Sequence, residues 1–179
     1  MTNPRGAWLD DLTLPDLQAR FDDDAVVVVP AFAATALPDW LPIKTGAAIA
    51  RAVGQRLVDR LPVIATRETL EQELAGRAAG LKSLGITRLV VVDASFSGGP
   101  CAPPEAATLV VHVGADASKA ADADEIDTSL MYALDPRSIR VDLLPPSSGA
   151  SAFKGERAMA AAIERIVAAL VVRWPDLSM

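Results

Sequence analysis

Ile86-Thr-Arg-Leu-Val-Val-Val-Asp-Ala-Ser-Phe-Ser-Gly-Gly-Pro100 is the stretch whose reading decides the fold. The run from Leu89 to Val92 is unbroken, β-branched after its first residue, and too short for a helix. A small polar loop stops it, which is the pattern of a strand buried on both faces. Open α/β sheets place ligands at the carboxyl ends of such strands. Asp93 to Gly99 is therefore where a site is expected, and it offers one carboxylate, two hydroxyls and two glycines but no His, Cys or Lys.

Working outward, strands and helices alternate. Leu14 to Phe21 reads as a short helix with Pro15 in its first turn, and Ala25 to Val29 as a buried strand closed by Pro30. Ala31 to Lys44 has no period and reads as a loop leaving a strand end. Thr45 to Leu61 places Ile49, Val53 and Leu57 on one helical stripe. Pro62 to Ala65 is a short strand, Thr66 an expected N-cap, and Leu70, Leu74, Ala78 and Leu81 the buried face of a helix stopped by Gly85. Beyond the central strand come a strand over Thr108 to Val113, a polar linker over Gly114 to Asp124 and a helix over Glu125 to Leu134. A strand over Ile139 to Leu144 and a last helix carrying Met159, Ile163, Ile166, Val167 and Leu170 complete the chain. The alternation implies a three-layer α/β/α domain over residues 1–179 with a mostly parallel sheet. Val28, Val91, Val110 and Val141 are expected on adjacent buried strands.

The chain has 179 residues, 51% of them apolar, enough for one well-buried core. Its net charge of -6 and pI near 4.7 argue against nucleic acid and anionic membranes as partners, since no stripe of Lys and Arg is present. A single cysteine, Cys101, excludes an internal disulfide, and no signal-length apolar segment opens the chain. A cytoplasmic protein is expected.

Individual residues carry little chemistry of their own. His112, the one histidine, is expected to be a packed or edge residue of its strand, and one His with one Cys cannot build a His-rich zinc site. Asp93-Ala-Ser-Phe-Ser-Gly-Gly resembles the Asp-Ala-Cys-Phe-Ser-Gly-Gly segment of caspase-like peptidases, with Ser95 at the nucleophile, but no His stands upstream to serve as base. The same glycines make a poor phosphate cradle, because Pro100, Pro103 and Pro104 remove amides. Asp122, Asp124, Glu125 and Asp127 read as carboxylates favoured by a helix N-terminus, and Cys101 as an unreactive loop residue.

Taken together, the segments resemble the creatininase family of metal-dependent amidohydrolases along nearly the whole chain. Trp8-Leu-Asp-Asp-Leu-Thr is similar to the family's opening, and Val28-Val-Pro30 through Leu41-Pro-Ile-Lys-Thr-Gly46 to its first strand and site loop. Ile86 to Gly98 is similar to its central strand and Asn-Gly-His-Gly-Gly-Asn loop. Asp127-Thr-Ser-Leu-Met-Tyr-Ala-Leu-Asp-Pro resembles its Glu-Thr-Ser-Leu-Met-Leu-Ala-Leu-x-Pro helix, the most specific match. Gly149-Ala-Ser-Ala-Phe-Lys-Gly155 resembles the Ala-Thr-Ala-Glu-Lys-Gly start of its last helix.

The resemblance fails where the family binds metal. The Glu and His of its Glu-Gln-His-Gly segment correspond to Thr35 and Leu37, and the bridging Asp of its Leu-Pro-Leu-Gly-Thr-Asp segment to Gly46. Its loop His corresponds to Ser95, an acidic ligand of some members to Ser97, and the His before its Glu-Thr-Ser helix to Asp122. Loops after Pro62, Pro100 and Pro145 are shortened relative to the family. The resemblance thus implies a creatininase-like scaffold with neither metal nor other cofactor and no catalytic residues. Such a protein would work as a homo-oligomer or as a hetero-oligomer with an active paralogue, with room for a small-molecule ligand in the vestigial site. Family assembly and the loop residues Trp8, Trp40 and Phe96 motivate the oligomer, with Trp40 the expected anchor. The alternative is a hydrolase of amide C–N bonds with rebuilt, metal-independent chemistry drawing on Lys44, Asp93, Ser95 and Asp122.

Overall fold

The computed structural model describes residues 6–34, 36–96, 101–113 and 120–178. Its centre is β5 (Leu89–Asp93), fully buried, flanked by β2 (Val27–Phe32) and β6 (Leu109–His112). β3 (Ile64–Ala65) and β4 (Thr69–Leu70) both pair with β2, and β1 (Ala7–Trp8) pairs with β3 at the far edge. Every pairing among the described residues is parallel. In register, Val29 lies beside Val91 and Val91 beside Val110.

Alternate residues of each strand enter one of two cores. Val28, Val90 and Val92 pack beneath α2 (Thr45–Arg60), α4 (Ala120–Leu134) and α5 (Ala152–Arg173). Val27, Val29, Leu89 and Val91 pack beneath α3 (Glu71–Ser83), with Leu17 and Phe21 of α1 (Leu14–Asp22) against the same layer. The three-layer α/β/α arrangement expected from the alternation is present. Thr13 and Ser151 cap α1 and α5 through their side chains, and Gly85 leaves α3 at φ 89°, a backbone region that glycine occupies without strain.

The structure corrects the sequence reading at several places. Pro30 does not close its strand but lies within β2. Successive residues of β2 turn their backbone groups to opposite neighbours: Ala31 O accepts from Ala94 N of the β5 side, and Val28 O from Thr66 N of the β3 side. Pro30 therefore faces the β3 side, between the end of β3 at Ala65 and the start of β4 at Thr69. The missing N–H falls where no strand is present to receive it. Thr66 is not an N-cap; its hydroxyl donates to Arg67 O, and the helix begins only at Glu71. α4 begins at Ala120 rather than Glu125, and residues 114–119 of the expected linker lie outside the described residues.

Ile139 to Leu144 is not a strand. It holds one 3-10 turn, Val141–Leu143, preceded by another over Pro136–Ser138, and Val141 is 59% exposed. Apolar alternation suggests a strand there, but prolines bound the segment and Arg140 N is taken by Trp40 O at 3.0 Å. Val28, Val91 and Val110 thus share the sheet, with Val110 on a half-buried edge strand and not a buried one, and Val141 is not in the sheet. No described helix is long and apolar enough to cross a membrane.

Candidate functional site

β2 and β5 end side by side, and the side-chain alternation divides the residues at their carboxyl ends between the two faces of the sheet. On the α2 face, Phe32 and the loop after β2 border a cleft of about 590 Å³. Leu37, Leu41, Ile43 and Leu70 line it with Phe32, and Asp39 is the only polar side chain among the described lining residues. Gly46, in the first turn of α2, faces the ring of Phe32; a Cβ there would come within 2.9 Å of Phe32 Cδ2. A residue with any side chain at 46 would have to displace the ring.

On the α3 face, Asp93 ends β5 beside His112, which ends β6 in the same register. Asp93 is fully buried and collects donors. Its Oδ1 accepts from Ser95 N at 3.1 Å and Cys101 Sγ at 3.2 Å, and its Oδ2 from Cys101 N at 2.7 Å. His112 Nδ1 lies 2.7 Å from Oδ2. Burial pushes the Asp93 carboxyl up, but the hydrogen bonds from Cys101 and Ser95 outweigh it and hold the group below the usual carboxylate range. An ionised Asp93 can only accept, so His112 must donate from Nδ1, and its Nε2 carries the lone pair when the ring is neutral. Burial, and then the Asp93 charge, push the Cys101 thiol up to about 12, so Cys101 stays protonated and unreactive near neutrality.

The expected site residues divide accordingly. Leu37 and Gly46 meet at the cleft, and Ser95 bridges the two faces by accepting from Ala33 N at 3.1 Å. Asp93 belongs to the opposite face. Lys44 forms an ion pair with Asp135 at 2.6 Å, so its ammonium already has a carboxylate partner. Thr35, Ser97 and the side chain of Asp122 lie outside the described residues. In the acidic cluster, Glu125 pairs with Lys154 at 2.6 Å and Asp127 is buried. Reading residues one at a time missed His112 as a partner of Asp93. The available signal was topological: both close adjacent parallel strands, at the edge where open α/β sheets carry their sites.

The aromatics expected on the surface turn inward. Phe96 is buried, Trp40 is half-buried with Nε1 donating to Thr128 Oγ1 at 2.9 Å, and Trp8 Nε1 donates to Gln55 Oε1 at 2.8 Å.

A parallel sheet between helical layers, with a cleft and a polar cluster at its carboxyl edge, defines the class: an α/β/α protein built for a site at the strand ends. Comparison with solved structures narrows this to one fold, that of creatininase. The chain is similar to a tryptophan-to-phenylalanine mutant creatininase at TM-score 0.73, to a glutamate-to-glutamine mutant creatininase complexed with creatine at 0.72, and to creatinine amidohydrolase (creatininase) at 0.71. Each is 16% identical, over 94% of this chain and 98 to 99% of the other. No family model and no curated protein matches the sequence.

The described residues do not fit the metal that the family resemblance implies. A transition-metal centre needs several converging N, O or S donors. Among the described residues no three His, Cys, Asp or Glu side chains form such a group. Leu37 offers hydrocarbon, Gly46 offers no side chain, and the Ser95 hydroxyl already accepts a backbone N–H. Protein purified from rich medium and desalted without chelator is expected to carry zinc, manganese and iron far below one equivalent per chain. About one tightly held transition metal per chain, by elemental analysis, would overturn this.

Proposed function

We propose that this protein is a non-catalytic member of the creatininase fold that binds a small molecule in the cleft beside Phe32 and acts through association, with itself or with an active paralogue. The apolar cleft at Leu37 and Gly46 carries the reading. Its volume of about 590 Å³ is that of a small-molecule site, and its lining is hydrocarbon where the family resemblance places metal ligands. Ile43 at the cleft is 98% exposed, an apolar side chain left for a ligand or partner to cover.

Incubated with creatinine and added Mn²⁺ or Zn²⁺, the protein is expected to release no creatine above a protein-free blank. Saturable turnover would refute the non-catalytic reading. Light scattering at micromolar concentration is expected to give a mass above the 18.8 kDa of one chain; a monomer throughout that range would refute association. Because Trp40 is turned toward Thr128, Ile43 replaces it as the anchor, and Ile43→Ser is expected to weaken the assembly more than Trp40→Ala does.

A second reading is a hydrolase of C–N bonds with rebuilt, metal-independent chemistry. The contact between Asp93 and His112 favours it, because it leaves Nε2 able to take a proton. Chelator-insensitive turnover of a small amide, lost in folded His112→Ala, would establish it over the first.

A further inference from the structure

We infer that the ligand of the cleft is an apolar amine, its hydrocarbon seated among Phe32, Leu37, Ile43 and Leu70 and its ammonium at the Asp39 carboxylate. The inference rests on the proposal that the cleft is a binding site and adds the chemistry of what enters it. Apolar walls select an apolar body, and the few polar groups of such a pocket decide which head group is accepted. Among the described lining residues there is one polar side chain, the carboxylate of Asp39.

Asp39 has an unpaired carboxylate in common with Asp11, Asp23, Glu73 and Glu105 among the described residues, and differs from those four in lining the cleft. Asp10, Asp24, Asp135, Asp142, Asp176, Glu125, Glu156 and Glu164 all have a Lys or Arg partner within 4.0 Å. Asp39 has no ion pair and no side-chain hydrogen bond among the described residues, and Lys44, the nearest cation along the chain, is held by Asp135. A cation can therefore reach Asp39 without displacing a resident partner. The net charge of -6 works in the same direction, attracting cations and repelling carboxylates and phosphates. An anion entering the cleft would meet Asp39 and find no Lys, Arg or His among the described lining residues to neutralise it.

Three probes with one chain length and different heads test this: n-octylamine, octan-1-ol and octanoate. Each is titrated by calorimetry at neutral pH, below its aggregation concentration, into wild type, Asp39→Asn and Ala47→Leu. Octylamine is expected to bind about fivefold more tightly than octanol, the effect of one solvent-exposed charge contact, with octanoate weakest. Asp39→Asn should bring the amine to the affinity of the alcohol and leave the alcohol unchanged. Ala47→Leu keeps a good helix former in α2 while filling the cleft, and should weaken all three. Octylamine binding no tighter than octanol, or a preference that survives Asp39→Asn, would overturn the amine assignment and leave the cleft as a site. Failure of all three to bind folded wild type would overturn the cleft reading as well. Binding by all three that Ala47→Leu leaves unchanged would place the probes elsewhere and overturn both.

Discussion

Val91→Asp is expected to lower the melting temperature by roughly 10–15 °C or to prevent folding. Val91 is fully buried in the middle of β5, between Val29 and Val110, beneath Leu74 and Ala78 of α3. The buried cluster there is apolar but for the Cys101 thiol, which already donates to Asp93, so an aspartate would find no cation and no free donor and would have to bury its charge or become protonated. Either route costs about 4 kcal/mol or more, which for a chain of this size corresponds to that shift in melting. Leu84→Asp, at an exposed position just after α3, is the control and should melt with wild type. A Val91→Asp protein within a degree or two of wild type would show that β5 is not the central strand.

The second large effect is expected at Asp93. Replacement by alanine removes the acceptor of the backbone N–H groups of Ser95 and Cys101 and of His112 Nδ1 at once. A buried donor left without a partner costs about 1–3 kcal/mol, and the two backbone donors cannot turn to water without moving the loop, so a loss of about 3–5 kcal/mol is expected. The effect depends on pH. The folded-state pKa of Asp93 is lowered, so its contribution is fully present above the unfolded carboxylate value of about 4 and is lost as pH falls through the folded value. The stability gap between wild type and Asp93→Asn should therefore be widest near neutrality and close in acid. A gap that stays constant from pH 7 to pH 2 in chemical denaturation would show that the carboxylate charge is not what the loop needs. His112, as the single histidine, gives one set of imidazole resonances. Nitrogen NMR near neutrality is expected to place a proton on Nδ1 in wild type.

Elements whose apolar pattern is unbroken were legible in the sequence. β5, β2 and β6 announce themselves as β-branched runs, and α2, α3 and α5 as stripes at helical spacing, because burial on one or both faces leaves a local imprint. Features that depend on neighbours left no such imprint. Nothing local to Pro30 says that it faces a gap between β3 and β4. Nothing local to Val141 says that its backbone winds into a 3-10 turn instead of adding a strand. β1 and β4, two residues each, are too short to carry a period. At the site, the family resemblance located Leu37, Gly46 and Ser95, but the pairing of Asp93 with His112 needed the strand order, since the two are 19 positions apart.

The closeness of Gly46 to Phe32 bears on whether a metal ligand could be built into this scaffold at position 46. Among the described residues Leu37 and Gly46 supply no donor, and the ring of Phe32 stands against any side chain that would project from position 46. Gly46→Asp alone would push a new Cβ against the aromatic carbon nearest it and expel the ring before any carboxylate oxygen could be presented. Shrinking Phe32 alone would enlarge the cleft without adding a ligand. A ligand at position 46 therefore needs a change at Phe32 made together with it, and packing rather than the number of substitutions is what stands against it.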